Sequence, residues 1–191
     1  MADTVTVHTV VCMDVRTLTR DDAVRYAADA AALLSLIPDV DYPAAAVLAD
    51  VKRGVPLTGR WDHSVAAFDD RRLVGVLLTY ERPPEPASSD TDQQTVFPVR
   101  SFYLDGLAVV ADLRGRGIAK ALLCAWLTST ASRGFTSSTG PVTWSLQTNA
   151  ADWNAPVRKL YERRGFSKVG VKRYPDRTDV VMFRGLRACG Q

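Results

Sequence analysis

Residues 113–127 read LRGRGIAKALLCAWL, and residues 99–113, VRSFYLDGLAVVADL, read as one long strand leading into them. A strand that passes through a basic, glycine-rich turn straight into an apolar helix constrains this chain more than any other feature. At the mouth of such a helix the first backbone N–H groups have no carbonyl to bond, and the helix dipole adds partial positive charge. The ligand that satisfies both is an anion, most often a phosphate. Gly115 and Gly117 clear side chains from its path, while Arg114, Arg116 and Lys120 add charge. The turn is not a nucleotide P-loop, because Lys120 is followed by Ala121 rather than Ser or Thr. It is not a dinucleotide fingerprint either, since Lys120 stands where the third glycine belongs. Taken alone the stretch says phosphate, and a basic surface turn fits it as well.

Composition bounds the rest. At 191 residues, 47% hydrophobic and 24% charged, the chain is expected to form one globular domain over residues 1–191. A net charge of +3 is too small to argue for a nucleic-acid partner. Its distribution says more: residues 158–187 carry ten Lys or Arg against three Asp or Glu, so this part of the chain attracts anions. Cys12, Cys124 and Cys189 are too widely spaced for a zinc pair or a disulfide framework. Cys124 reads as a small core residue, and no metal is expected. The N-terminus MADTVTVHTVV has no basic region before an apolar core, and no stretch reaches the length of a membrane span. The expected setting is cytoplasmic, with no membrane partner.

Mixed strands with inserted helices predict an α/β fold. Residues 5–15 alternate as an opening strand, and Thr19 caps a helix whose first turn holds Asp21 and Asp22. A second helix follows over YPAAAVLADVKRG, residues 42–54. Two strands then flank the tight turn Asp69-Asp70-Arg71. Residues 82–98, rich in Pro, Ser and Asp, predict a long, mobile insertion loop. In the strand that follows, Gly106 marks a bulge or a close backbone approach. After the glycine-rich turn and its helix come the strand VTWSLQT, a short helix over NAPVRKLYERRG with Asn154 as its cap, and a final hairpin around PDR.

Two elements together sharpen the phosphate reading. Arg114-Gly115-Arg116-Gly117-Ile118-Ala119 fits R-x-x-G-x-G/A, and about forty residues on stands NAPVRKLYERRGF. In this order they resemble the GNAT N-acetyltransferase family, which uses acetyl-CoA; the likeness runs from roughly residue 12 to 187. The second element departs mildly from the family pattern, with Val157 where alanine is usual. The resemblance implies the GNAT fold, a central, mostly antiparallel mixed sheet flanked by helices, and acyl transfer from coenzyme A without a metal. It implies that Leu107, Ala108 and Val109 lend main-chain groups to the pantetheine arm. The segment Arg114, Gly115, Arg116, Gly117, Ile118 and Ala119 would hold the pyrophosphate, and Asn154 would bond the cofactor arm. Tyr161 would stand near the thioester sulfur and give the departing thiolate its proton. Seven residues, two helical turns, separate Asn154 from Tyr161, which puts them on one helix face. As a plain core residue, Tyr161 would pack four positions after Val157.

An amine must lose a proton before it attacks, and a carboxylate can take it. Asp105 is the first candidate, two and four residues from Leu107 and Val109 and so expected on their face. Glu81, at the end of the preceding strand, is the second; otherwise the amine arrives deprotonated. Main-chain N–H groups at a bulge near Ala108–Val109 would face the developing oxyanion. His8 and His63 read as surface or capping residues. Asp39, Asp41 and Asp62, with Trp61 and Tyr42, are candidate contacts for a cationic acceptor. The function expected is acetyl transfer to a primary amine of a small molecule, by a monomer or homodimer. A peptide or protein amine, and a non-catalytic acyl-CoA sensor, are the alternatives.

Overall fold

The structure, a computed structural model, describes residues 13–37, 63–83, 100–133 and 143–185. The expected second helix, nearly all of the 82–98 loop, His8, Asp39, Asp41, Tyr42, Trp61 and Asp62 lie outside these residues, as do Cys12 and Cys189. Seven strands form one sheet: β1 (Met13–Thr17), β2 (Val65–Asp69), β3 (Arg72–Arg82), β4 (Ser101–Val109), β5 (Thr143–Asn149), β6 (Ser167–Arg173) and β7 (Thr178–Gly185). The helices are α1 (Arg20–Leu34), α2 (Ile118–Arg133) and α3 (Ala155–Glu162). The order across the sheet is β1-β2-β3-β4-β5-β7-β6, and every neighbouring pair is antiparallel except β4–β5.

Local chemistry explains the boundaries. Thr19 starts α1 with a reciprocal capping box: its hydroxyl accepts from the Asp22 N–H at 3.1 Å, and Asp22 Oδ2 accepts from the Thr19 N–H at 3.0 Å. Arg16 reaches over from β1 with both terminal nitrogens, the second 2.9 Å from Asp22 Oδ1. These hydrogen bonds from Arg16, more than its charge, hold the Asp22 carboxyl well below the usual carboxylate range. Between β2 and β3 the turn needs one left-handed residue, Asp70 at φ 55°, a conformation aspartate tolerates.

The core lies on both faces of the sheet. On one face Leu122, Trp126, Trp144, Leu146, Tyr161 and Phe166 pack beneath α2 and α3. Trp144 Nε1 donates to the Thr130 hydroxyl at 2.8 Å, tying α2 to β5. On the other face α1 covers Phe68, Leu73, Val76 and Leu78, and a separate group gathers Tyr103 and Val181 with Tyr80 and Phe183. Gly75 lets α2 settle on β3, since a Cβ there would stand 3.1 Å from Ile118 Cγ2 and from Leu122 Cδ1.

Candidate active site

The sheet splits where the parallel pair β4–β5 diverges. β4 and β5 pair over Phe102–Leu104 opposite Trp144–Leu146 and no further. The closed end is stitched by the Ser101 and Ser145 hydroxyls, 2.5 Å apart, and by Thr143 Oγ1 donating to the Arg100 carbonyl at 2.6 Å. Beyond Leu104, β4 continues against β3 alone, and beyond Leu146, β5 continues against β7 alone. Main-chain groups facing the gap therefore receive no partner from the sheet. α2 begins just past β4 and α3 just past β5, so both helix N-termini stand at the wide end. A crevice at the carboxyl ends of parallel strands, with two helix N-termini beside it, is a place for an anionic ligand.

The glycine-rich turn is built as the sequence requires. Gly115 and Gly117 take φ of 77° and 85°, where side chains are strained, and a Cβ on either would point into open space. The turn thus exposes bare backbone ahead of Ile118, Ala119 and Lys120, the first-turn residues whose N–H groups lack a helical partner. Ile118 is anchored in the core, while Arg116 and Lys120 are exposed. Arg114 turns back instead: its Nε donates to the Val109 carbonyl at 3.1 Å, bracing the end of β4.

Across the cleft, Asn154 and Tyr161 are both buried. Asn154 stands at the cap position of α3, yet its side chain makes no capping bond. Its amide donates instead to Thr148 Oγ1 at 2.7 Å and to the Asn149 carbonyl at 2.9 Å. This corrects the capping role read from sequence and leaves the side-chain oxygen as the atom available to a cofactor arm. Tyr161 packs edge-on against Phe166, ring centroids 6.1 Å apart, and burial pushes its hydroxyl well above the ordinary phenol range. A phenol so placed stays protonated across neutral pH.

The candidate bases separate sharply. Leu78 pairs with Gly106 and Thr79 with Leu104, so Asp105 is the extra residue of a bulge at the point where the cleft opens. The bulge flips the alternation. Leu104 and Val109 lie in the core beneath α2, with Leu107 packed against it, whereas Ala108 lies under α1. Asp105 therefore does not share the face of Leu107 and Val109. It lies by Tyr103, whose hydroxyl is pushed up by burial first and by the Asp105 charge second. The bulge also stands at Asp105 rather than at Ala108–Val109. Glu81 pairs across from Phe102, at the closed end, and is held by Arg100 and by His63 Nε2 at 3.6 Å. That placement removes Glu81 from the cleft.

One group escaped the sequence reading. Gln147 is the first residue of β5 past the paired segment, and it lies across from Val181 of β7. Its amide donates to the Tyr174 hydroxyl at 2.7 Å and to Asp179 Oδ2 at 2.6 Å. No local motif marks these residues; only the adjacency of β5 and β7 brings them together.

A family model described as the acetyltransferase (GNAT) domain matches residues 60–168, more than half of this chain. The chain belongs to the GNAT acetyltransferase family. Its members are acetyl-CoA-dependent N-acetyltransferases, and coenzyme A is the group that the cleft and its bare turn fit. The ribosomal-protein-S18-alanine N-acetyltransferase of Escherichia coli is similar in fold, with a TM-score of 0.62 at 16% identity over 94% of this chain and 97% of that one. Arabidopsis thaliana Naa50, in complex with the bisubstrate analogue CoA-Ac-MVNAL, gives 0.60 at 16% identity over 91% and 99%. The aminoglycoside N-acetyltransferase AAC(6')-Iy, in complex with CoA, gives 0.59 at 18% over 88% and 96%. No curated protein sequence matches the chain. Among the described residues of this GNAT chain, no helix is long and apolar enough to cross a membrane, and no three His, Cys, Asp or Glu side chains gather as a metal site.

Proposed function

We propose that this GNAT chain transfers the acetyl group of acetyl-CoA to a primary amine of a small molecule, by direct attack while both are bound. The observation that carries this reading is the split between β4 and β5, with a carboxylate at its apex and two helix N-termini at its mouth. Bound acetyl-CoA supplies an acetyl group activated as a thioester. The backbone from Arg114 to Ala119 holds the pyrophosphate, with Arg116 adding charge from the exposed side. The main chain of Leu107, Ala108 and Val109 and the Asn154 side-chain oxygen line the path of the pantetheine arm. Asp105 takes the proton of the incoming ammonium, and Tyr161 returns one to the sulfur side.

The test joins binding to turnover. Acetyl-CoA should raise the melting temperature by mass action, and thiol release should follow a panel of amines. Asp105→Asn is expected to lower kcat about 10³-fold and Tyr161→Phe about 10²-fold, with acetyl-CoA stabilisation kept in both. Full turnover in Tyr161→Phe removes its acid role, and full turnover in Asp105→Asn removes its base role. A peptide amine is the second reading, favoured by the peptide-bearing analogue seen on Naa50; peptide N-termini in the same assay decide between them.

A further inference from the structure

The face of the sheet opposite α2 carries a carboxylate that the proposed transfer does not use. Val181 packs with Tyr103 on this face, and Asp179, two residues earlier on β7, points the same way. Asp179 is buried, 5% exposed. Its Oδ2 is taken by Gln147 Nε2 at 2.6 Å and by Arg177 Nε at 3.3 Å. Its Oδ1 is buried and has no hydrogen-bond partner among the described residues. A buried carboxylate oxygen left unanswered is uncommon, and each instance asks for a donor. Gln147, which aims this carboxylate, is the first residue past the apex on β5, as Asp105 is on β4. The Asp179 carboxylate is therefore linked through one side chain, Gln147, to the strand that borders the cleft.

The surroundings narrow the donor. Tyr80 and Tyr103, ring centroids 5.3 Å apart, form an aromatic floor, with Tyr174 beside Asp179. Aromatic faces and a carboxylate together suit an ammonium, which brings three donors and a charge. Other charged groups face the same corner: Arg177 and Lys172 lie over the Tyr174 ring at 4.5 and 5.9 Å, Arg82 lies over Tyr103 at 4.8 Å, and Asp176 pairs with Arg177 at 3.7 Å.

We infer that Asp179 is a specificity-determining anchor for an ammonium group of the acceptor. The inference rests on the proposed transfer for the identity of the ligand, but binding alone tests it. Phenethylamine, phenylalaninamide and phenylalanine are titrated calorimetrically into the full-length chain saturated with CoA. Each is expected to bind through its ammonium, and Asp179→Asn to weaken the binding about tenfold. CoA affinity should stay within about twofold in the variant. Unchanged amine affinity in Asp179→Asn, or a parallel loss of CoA binding, overturns the inference. If Asp179→Asn does not fold, Asp179→Glu serves: weaker amine binding with CoA binding kept supports the anchor, and no change removes it. Should the amines bind while none releases thiol from acetyl-CoA, the transfer reading falls and the anchor stands.

Discussion

Asp22 and Asp179 are both buried carboxylates gripped by an arginine, and they stand in different corners of one sheet. Where β1 meets α1, both oxygens of Asp22 are answered, by Arg16 and by the backbone and hydroxyl of Thr19. Where β5 meets β7, Gln147 and Arg177 both converge on one oxygen of Asp179. The first arrangement is complete within the chain and holds a helix to a strand. The second leaves bonding capacity on β7, beside the strand that borders the cleft. The same side chain with the same kind of partner thus serves architecture in one corner and recognition in the other, and the tally of its lone pairs tells which.

The largest expected separation comes from Asp22→Asn. Losing the capping box and the charge-assisted bonds should cost about 2 kcal/mol, discounted because the Arg16 side chain is 39% exposed and regains water. For a chain of this length that lowers Tm by about 4–8 °C in a thermal melt, with acetyl-CoA binding untouched. The comparison sharpens with pH. The Asp22 carboxyl is depressed in the folded state, so its contribution is full above the ordinary carboxylate pKa of about 4 and is lost as pH falls below it. Denaturant titrations from neutral pH to about pH 3 should show the wild-type advantage over Asp22→Asn shrinking as the pH drops. Equal pH slopes in the two proteins would mean that Asp22 gains nothing from Arg16. The smallest effect is expected from Arg177→Gln. Stability should fall by about 1 kcal/mol as one partner of Asp179 is weakened. Amine affinity should rise a few-fold, because the carboxylate keeps less of its charge compensated. A drop in both would make the β5–β7 corner structural, like the first.

Much of the donor side was legible in sequence because its determinants are local. The capping box lies within four residues, the left-handed glycines adjoin the helix they serve, and α3 carries Pro156 in its first turn and ends before Gly165 at φ 83°. The acceptor side was legible only in part. Alternation through YLDGL announces a strand and Gly106 marks its irregularity, but which residue is extra depends on the register with β3, set by residues about thirty positions earlier. One residue of slippage moved Asp105 to the other face. Asp179 and Gln147 are 32 residues apart, and their contact depends on β7 inserting between β5 and β6. Asn154 was placed on the right element and given the wrong bond, because the cap position alone does not reveal Thr148 waiting beneath it.

Gly75 lies in the β2–β3 hairpin, far along the chain from the glycine-rich turn, yet Ile118 and Leu122 rest against its bare α-carbon. Ile118 directly follows the glycine-rich turn. The distance of that turn from the strands is therefore set by how closely a helix can lean on a residue some forty positions upstream. The hairpin acts as a spacer gauge, and a single methyl group at Gly75 would be read out as a misplaced phosphate seat rather than as a local defect.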